Sequence, residues 1–336
     1  MWYEKQGNNT DVVLSSKVVI SRNIKGFPFP VMMSVADKEN VLGMIRQASG
    51  KLDMNFIRCD ELSEDAKEDM FKNYYAEAKF LNEAEGAGFL IGKEEGTAVV
   101  VNNRNHIEIE SIMSGSDVYS CYKKADKIAT TLESEMEIAF SERLGFLTSD
   151  ISNVGMGVQI INTFAIPAIE KTVGAIQVLG KRLESYDWQI IPVGNVKGTG
   201  LYITVNSVML GIDEEELLKR ASLVLKDVIS LERSCRKNIC KRKPGIVEDQ
   251  FCRSYALLKY ARRMEIPEAL EHINWLRVGR DNIRQNDVEV DWNSINKMTH
   301  IVRRNYKEAI SKNGRSPMFS QARCEGIRSI LGKETK

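Results

Sequence analysis

The order of hydrophobic and polar residues predicts a mixture of strands and helices in the first half of the chain. Residues 12–21, VVLSSKVVIS, predict a strand that enters the core. The FPFP sequence at 27–30 predicts a break after it, because proline lacks the N–H that a strand ladder needs. Apolar residues at helical spacing predict helix over about 35–84, and two short β runs flank the polar NNRN at 102–105. A further amphipathic helix is predicted over 122–145, where Gly145 is a suitable C-cap residue.

The second half of the chain predicts further mixed structure and then almost only helix. Residues 158–183 predict an apolar helical segment that carries Pro167, and 188–194 with 200–210 predict a strand pair joined by a glycine-rich turn. Residues 213–238 predict a long helix with acidic residues in its first turn and basic ones in its last, as the helix dipole favours. The pattern after this helix is helical throughout. We therefore expect two domains, 1–245 and 246–336, of which the second is helical.

Composition and charge narrow the class of partner. The chain has 47 lysines and arginines against 46 acidic residues, a net charge of +1, which gives no bulk attraction to nucleic acid or to a membrane surface. No apolar run reaches the roughly eighteen residues that cross a bilayer, and the N-terminus lacks a signal pattern. We therefore expect a cytoplasmic protein. The six cysteines form no CxxC pair and the three histidines lie far apart, so no metal site is predicted.

A basic cluster lies near the end of the long helix. Solvated side chains favoured by the helix dipole are one interpretation, and docking of a partner protein or of nucleic acid is the other. The cluster consists of Arg233, Arg236, Lys237, Lys241, Arg242 and Lys243.

The loop at 145–159, GFLTSDISNVGMGVQ, has the glycine spacing of an active-site loop and few reactive side chains. Together with other blocks it resembles the McsB-type bacterial protein arginine kinases, within the ATP:guanidino phosphotransferase family. The resemblance covers nearly the full chain in order. Its blocks are 11–30, 101–110, 125–157, 206–217 and 253–279.

The resemblance implies an α+β fold in which an antiparallel β-sheet is flanked by helices, followed by an all-helical domain used in dimerisation. Active members transfer the γ-phosphoryl group of MgATP to a guanidino nitrogen. This reaction depends on positioning and charge compensation, so arginines hold the phosphates and carboxylates orient the guanidinium.

At the ATP positions that the resemblance implies, this chain has lost most of the positive charge. Lys17 and Val19 replace two phosphate-facing arginines of the family's SSRIRLARN block, and lysine lacks the planar fork that binds two phosphate oxygens at once. Glu108 replaces the arginine of the NEEDHLR block and reverses its charge. The six ATP positions are Ser16, Lys17, Val19, Phe80, Glu108 and Gln159, where Phe80 replaces an adenine-side histidine and Gln159 an arginine.

The catalytic positions implied by the resemblance are also altered. Asn103 and Arg104 replace two glutamates that hold the guanidinium, and Asp150 replaces a reactive cysteine. Val196, or Val193, lies where a flexible loop carries a second catalytic glutamate, and 192–200 contains no carboxylate. In 316–331, which aligns with a run that recognises phosphoarginine, Arg323 is the charged residue that remains.

We therefore expect a kinase-family scaffold with a degenerate site: a pseudokinase that binds or regulates other proteins, with no cofactor. The alternative is an active or weak protein arginine kinase that uses MgATP, with Lys17 and Asp150 in modified roles. The partners implied by the resemblance are an active kinase paralogue, a McsA-like zinc-finger activator or components of the Clp protease system, and a homodimer is expected. We expect neither a membrane nor nucleic acid as partner.

Overall fold

A computed structural model describes residues 1–5, 7–83, 85–207, 210–281, 290–311 and 317–332. Within these ranges the chain forms strands β1 to β10 and helices α1 to α12, with short 3-10 turns between them. The strands are β1 Val13–Arg22, β2 Met54–Arg58, β3 Gly88–Gly92, β4 Thr97–Val101, β5 Ile107–Ser114, β6 Phe140–Ser141, β7 Gly145–Phe146, β8 Val158–Ala165, β9 Trp188–Pro192 and β10 Leu201–Asn206. The helices are α1 Val35–Ala48, α2 Glu64–Lys72, α3 Ala78–Glu83, α4 Val118–Glu133, α5 Pro167–Lys171, α6 Ala175–Glu184, α7 Glu214–Arg242, α8 Pro244–Tyr260, α9 Ile266–Gly279, α10 Trp292–Arg303, α11 Tyr306–Ile310 and α12 Pro317–Leu331.

Eight strands form one antiparallel sheet in the order β2-β3-β4-β5-β1-β8-β10-β9. Strand β1 lies at the centre and pairs with β5 on one side and β8 on the other. Because side chains alternate along a strand, Val18 and Ile20 point to one face of the sheet, where they pack with residues of α4 and α7 such as Ala125 and Val224. We call this the helix face. The opposite face carries Lys17 and Val19.

That opposite face is covered in part by another group of elements. Helices α2 and α3 pack on the side formed by β3, β4 and β5, where Phe71 and Leu81 share a core cluster with Phe89 and Val100. In the middle of β1, β8 and β10 the side chains of this face are half-buried, whereas those near the strand ends, such as Ser21 and Leu201, are buried. We call this uncovered area the open face; it is the part of the sheet that could receive a ligand.

The C-terminal helices pack on the end of the sheet. Residues of α8, α9, α10 and α12 form a core cluster that also includes Leu14, Ala165 and Leu201 from the central strands. Arg304 reaches back to α2, where its Nε donates to the carbonyl of Phe71 at 2.9 Å. The predicted division at 245/246 falls just after the start of α8, and it stays a prediction.

Several elements confirm the sequence pattern. Strand β1 and the β9–β10 pair form as predicted, and so do the β runs around NNRN. Helix α7 begins at the N-cap Asp213, whose side chain accepts from the N–H of Glu216, and it ends with Lys241 and Arg242 in its last turn. The antiparallel sheet flanked by helices and followed by a helical part is the predicted fold.

Other predicted elements are wrong. Residues 158–165 form strand β8, not helix, and residues 35–84 include strand β2. Strand β3 was not predicted. The helix predicted to end at Gly145 ends at Glu133, because Ala139 donates to the carbonyl of Asn23 and Ile138 bridges to Ile24, which holds the following segment against the end of β1.

The described part of the chain contains no helix that is both long enough and apolar enough to cross a membrane.

Candidate functional site

The three central strands bring four of the predicted ATP positions together. Val19 lies opposite Glu110 of β5 on one side and opposite Gln159 of β8 on the other. On the same face, Glu108 lies opposite Ser21, which is two residues after Val19 on β1. Lys17 is two residues before Val19. Directly opposed residues in an antiparallel pair have Cβ atoms about 5 Å apart, so these side chains form one group at the edge of the open face.

Lys17 forms an ion pair within this group. Its Nζ lies 2.8 Å from Oε2 of Glu110 and donates to the carbonyl of Tyr74 at 3.0 Å. Burial raises the pKa of Glu110 to about 7, against the opposing effect of the Lys17 ammonium. The Lys17 ammonium thus already has a carboxyl group and a carbonyl of its own chain as partners.

Sequence reasoning missed Glu110, although a signal was present. Glu108 and Glu110 are two residues apart in a strand, so both must point to the same face, and Lys17 and Val19 are related in the same way. The period of two therefore places Glu110 beside the predicted ATP positions.

Glu108 is held by two amides of the NNRN loop. Its Oε2 accepts from Asn103 Nδ2 at 2.7 Å and its Oε1 accepts from Asn105 Nδ2 at 3.0 Å. Both carboxylate oxygens are thus satisfied within the chain, and Asn103 is occupied in the same interaction. Arg104, the neighbouring predicted position, is exposed.

Asp150 is part of a local turn. Its Oδ1 accepts from the backbone N–H of Ser152 at 2.9 Å and from the Ser152 hydroxyl at 2.7 Å. These two hydrogen bonds hold the pKa of Asp150 below its ordinary value, and the positive charge of Arg104 contributes less. The carboxylate at the position of the family's reactive cysteine therefore caps the 3-10 turn at 151–153.

The loop at 145–159 is anchored to the NNRN loop and depends on glycine. The N–H of Ser149 donates to Asn105 Oδ1 at 2.9 Å, and the same oxygen accepts from Asn23 Nδ2 at 2.8 Å. Gly157 has φ +63°, and a Cβ there would lie 2.7 Å from the carbonyl oxygen of Ser21. Backbone geometry thus requires glycine at this position, whatever the loop's chemistry.

The other predicted positions lie apart from this group. Ser16 is on the helix face, where its Oγ donates to the carbonyl of Gly115 at 2.9 Å. Phe80 packs edge-to-face on Phe89 with ring centroids 5.9 Å apart, as a residue of the α2–α3 cluster. Val196 is exposed in the turn between β9 and β10.

The base of that turn is fixed by a carboxylate from another element. Glu170 of α5 accepts from the N–H groups of Gly198 and Gly200 at 2.7 and 2.8 Å, and from the hydroxyl of Tyr202 at 2.7 Å. Tyr202 points to the helix face, as its neighbour Phe164 does. Glu170 therefore positions the turn from the side of the sheet opposite the open face.

Arg323, the remaining arginine of the predicted phosphoarginine site, is also paired. It donates to both carboxylate oxygens of Glu308 at 2.7 and 2.6 Å and to the carbonyl of Met264 at 2.6 Å, and it is buried. The guanidinium holds α11 and α12 to the segment before α9.

The charge pattern at the open face is unfavourable to a polyphosphate. The group contains one lysine, paired, and two carboxyl groups, while Val19 and Gln159 are uncharged. No cluster of three or more His, Cys, Asp or Glu that could hold a metal ion occurs among the described residues. These residues therefore do not fit a magnesium-bound triphosphate.

Comparison with known proteins identifies the family. The family described as ATP:guanido phosphotransferase, C-terminal catalytic domain, matches residues 38–235, which is more than half of the chain. The chain belongs to this family.

Its curated relatives include protein-arginine kinases. That of Halothermothrix orenii is 27% identical over 289 residues, covering 83% of this chain and 82% of the relative. That of Desulforamulus reducens is 27% identical over 291 residues, covering 83% and 81%. The resemblance predicted from the motifs is confirmed.

Solved structures of the family have the same fold. The duplicated taurocyamine kinase of Schistosoma mansoni with bound transition state analog components matches with a TM-score of 0.61 and 19% identity, over 72% of this chain and 36% of that one. This chain thus spans little more than a third of that duplicated protein. Lombricine kinase matches with a TM-score of 0.60 and 15% identity, over 71% and 70%.

Proposed function

We propose that this chain is a pseudokinase, an ATP:guanido phosphotransferase family member that has lost phosphoryl transfer and acts by binding other proteins. The observation that carries the proposal is the pairing at the open face. The Lys17 ammonium lies 2.8 Å from the Glu110 carboxyl group, and Glu108 occupies a position where the family resemblance implies a phosphate-binding arginine.

Glu108 in place of a phosphate-binding arginine has an electrostatic cost that is large compared with the free energy of nucleotide binding. A charge pair about 4 Å apart is worth about 4 kcal/mol at an effective dielectric constant near 20. Replacing an attractive arginine by a repulsive glutamate therefore changes the interaction by several kcal/mol, which is about a thousandfold or more in affinity. Val19 and Gln159 add no positive charge that could compensate.

Binding of the guanidinium that accepts the phosphoryl group is also disfavoured by the charges present. Two glutamates that would hold a guanidinium are replaced by Asn103, which donates to Glu108, and by the cationic Arg104. Asp150 is engaged by Ser152. Phosphoryl transfer relies on positioned charges, so the loss of both sets argues against residual catalysis.

We propose a regulatory or binding subunit as the role. By resemblance the partners are an active kinase paralogue, a McsA-like zinc-finger activator or Clp-system components, in the cytoplasm. A homodimer through the C-terminal helices is supported by α8, where Leu257 is 44% and Tyr260 69% exposed. Such side chains on one helix are suited to a contact between copies.

Phosphoarginine mass spectrometry tests the loss of activity. The purified chain is incubated with MgATP and an arginine-rich protein substrate, beside an active protein-arginine kinase as positive control. We expect phosphoarginine only with the control enzyme. Phosphoarginine formed by this chain, and abolished by Lys17→Met, would instead establish an active enzyme in which Lys17 binds phosphate.

Restoration of charge tests the physical explanation. Val19→Arg, Glu108→Arg and Gln159→Arg are combined with Glu110→Gln, because a new arginine at position 19 would otherwise pair with Glu110 across the strands. We expect measurable MgATP affinity by calorimetry if the variant folds.

A control adds three arginines at exposed, uncharged positions away from the open face. The positions are Tyr119, Val178 and Ile310. This control should bind no more MgATP than the wild type. Equal binding by both variants would show that added charge alone is responsible, and no binding by a folded restored variant would show that the backbone of the pocket is unsuitable.

A further inference from the structure

One cavity lies among helices, away from the open face. Its volume is about 570 Å³, within the usual range of ligand sites. It is formed where α5, the end of α7, the start of α8 and α9 meet. The lining residues include none of those at the open face.

Three cations surround this cavity without acidic partners. Lys171, Arg242 and Lys243 line it and are exposed, and no carboxylate is among its described lining residues. In the part of the chain that the structure describes, none of the three forms an ion pair. Cationic groups held together without counter-charges favour an anionic ligand.

The basic cluster of the sequence is thereby divided into two parts with different roles. Arg233 pairs with Asp11 at 2.6 Å, and Arg236 pairs with the buried Glu232 at 2.8 Å. These two arginines fix α7 to the N-terminal segment and to the sheet. Lys237, Lys241, Arg242 and Lys243 are exposed, and the last two line the cavity.

The interior of the cavity is apolar. Cys235 and Val247 are buried in its wall, and Trp275 of α9 lies against one side. At its mouth Val173 is fully exposed and Ile246 is 55% exposed, so the apolar surface continues outside the cavity. Exposed apolar side chains beside a cavity are typical of a protein-binding surface.

We propose that this cavity docks an acidic peptide segment of a protein partner. The segment inserts apolar side chains between α7 and α8, while its carboxylates pair with Lys171, Arg242 and Lys243. This docking site does not depend on whether phosphoryl transfer has been lost, because it lies outside the open face.

Nucleic acid fits the same surface less well. Trp275 is the aromatic residue of the cavity, and the Lys171 ammonium lies 4.8 Å from its ring centroid, which covers one face that a base could stack on. The cavity interior includes buried apolar side chains that a phosphate chain would not contact favourably, and the net charge of +1 gives no general attraction to nucleic acid.

The test is a fluorescence anisotropy titration with a fluorescein-labelled peptide in which a Leu-Phe pair is flanked by glutamates on both sides. The variant Lys171→Glu with Arg242→Glu should weaken binding about tenfold or more, because two attractive contacts become repulsive. The matched control, Lys237→Glu with Lys241→Glu, makes the same change of net charge on α7, outside the cavity lining. It should weaken binding less than about threefold, as expected for charges screened by salt.

The apolar part of the proposal has its own variants. Ile246→Ser should weaken binding severalfold, and a peptide with Ser-Ser in place of Leu-Phe should bind at least about tenfold more weakly than the parent, since less apolar surface is removed from water on binding. All variants change exposed residues, and unchanged thermal unfolding midpoints would confirm that they fold.

Four outcomes would overturn the proposal. These are no binding of the peptide, equal losses in the cavity variant and its control, equal affinity for the Ser-Ser peptide, and displacement of the peptide by a short DNA duplex at matched charge. Light scattering provides a fifth: a dimer that dissociates in the Lys171→Glu, Arg242→Glu variant would assign the cavity to a second copy of the chain.

Discussion

The buried carboxyl group of Glu110 gives a quantitative prediction for stability. Its side chain is in the group that contains Lys17, and burial raises its pKa from the ordinary 4.5 to about 7. Glu110→Gln keeps the shape of the side chain and removes the ionisation. Lys17 keeps its hydrogen bond to the carbonyl of Tyr74 in this variant.

The sign of the pH dependence of stability follows from which state, folded or unfolded, binds the Glu110 proton more tightly. The folded state holds the proton on Glu110 up to about pH 7, whereas the unfolded state releases it near 4.5. The stabilising contribution is therefore complete below about pH 4.5 and is lost as the pH rises through 7. The two pKa values differ by about 2.5, and at about 1.36 kcal/mol per pKa unit this difference corresponds to roughly 3 kcal/mol.

Urea unfolding of both proteins between pH 5 and pH 8 measures this contribution. Near pH 5 the wild type and Glu110→Gln should have similar free energies of unfolding, and near pH 8 the variant should be more stable by roughly 3 kcal/mol. Burial lowers the pKa of His106 and His300, so these groups also make stability depend on pH, but they cancel in the difference.

Glu137→Gln is the matched control, since this glutamate is 73% exposed and pairs with Lys25 at the surface. Its difference from the wild type should not change between pH 5 and 8. A difference curve for Glu110→Gln that is equally flat would refute the buried, proton-binding role of Glu110.

Two other contacts give independent predictions. Asn105→Ala removes the amide that links Glu108 to the 145–159 loop, so it should lower the free energy of unfolding by about 1–3 kcal/mol in urea titrations; an unchanged value would show that water replaces the amide. Glu170→Ala removes the acceptor for the N–H groups of Gly198 and Gly200. Limited trypsin digestion should therefore cut faster after the exposed Lys197. An unchanged rate of cleavage would show that other contacts hold the turn.

The sequence predicted the fold well where a pattern is local. Strand β1 and helix α7 follow from alternation and from capping residues that act within a few positions. Strand β8 could not be recognised in this way. Its residues alternate between buried and half-buried because helices cover one face of the sheet there and leave the other open, and the apolar run itself does not distinguish strand from helix.

The end of α4 is also not predictable from the local sequence pattern. Residues 134–145 are rich in helix-forming types, yet the segment leaves the helix at Ser134 and pairs with the chain after β1. Long-range hydrogen bonds from Lys25 to Glu137 and from Ala139 to Asn23 replace those of the helix. Tertiary contacts override propensity here, and sequence spacing carries no signal for them.

The sequence predicts which residues form the candidate site but not which groups those residues contact. The motifs identified Lys17, Val19, Glu108 and Gln159, and the strand register brings them together. The sequence does not predict the groups that these side chains contact, since the Tyr74 carbonyl that accepts from Lys17 comes from a loop after α2.

The thermal unfolding midpoint of the purified chain in increasing MgATP tests the central claim most directly. A ligand that binds the folded state must stabilise it, by about 2.7 kcal/mol at a hundredfold excess over its dissociation constant. With a paired lysine and two carboxyl groups at the open face, we predict no change in the midpoint up to millimolar MgATP, while an active protein-arginine kinase in the same assay shows a rise. A saturable rise for this chain, abolished by Lys17→Met, would contradict the account.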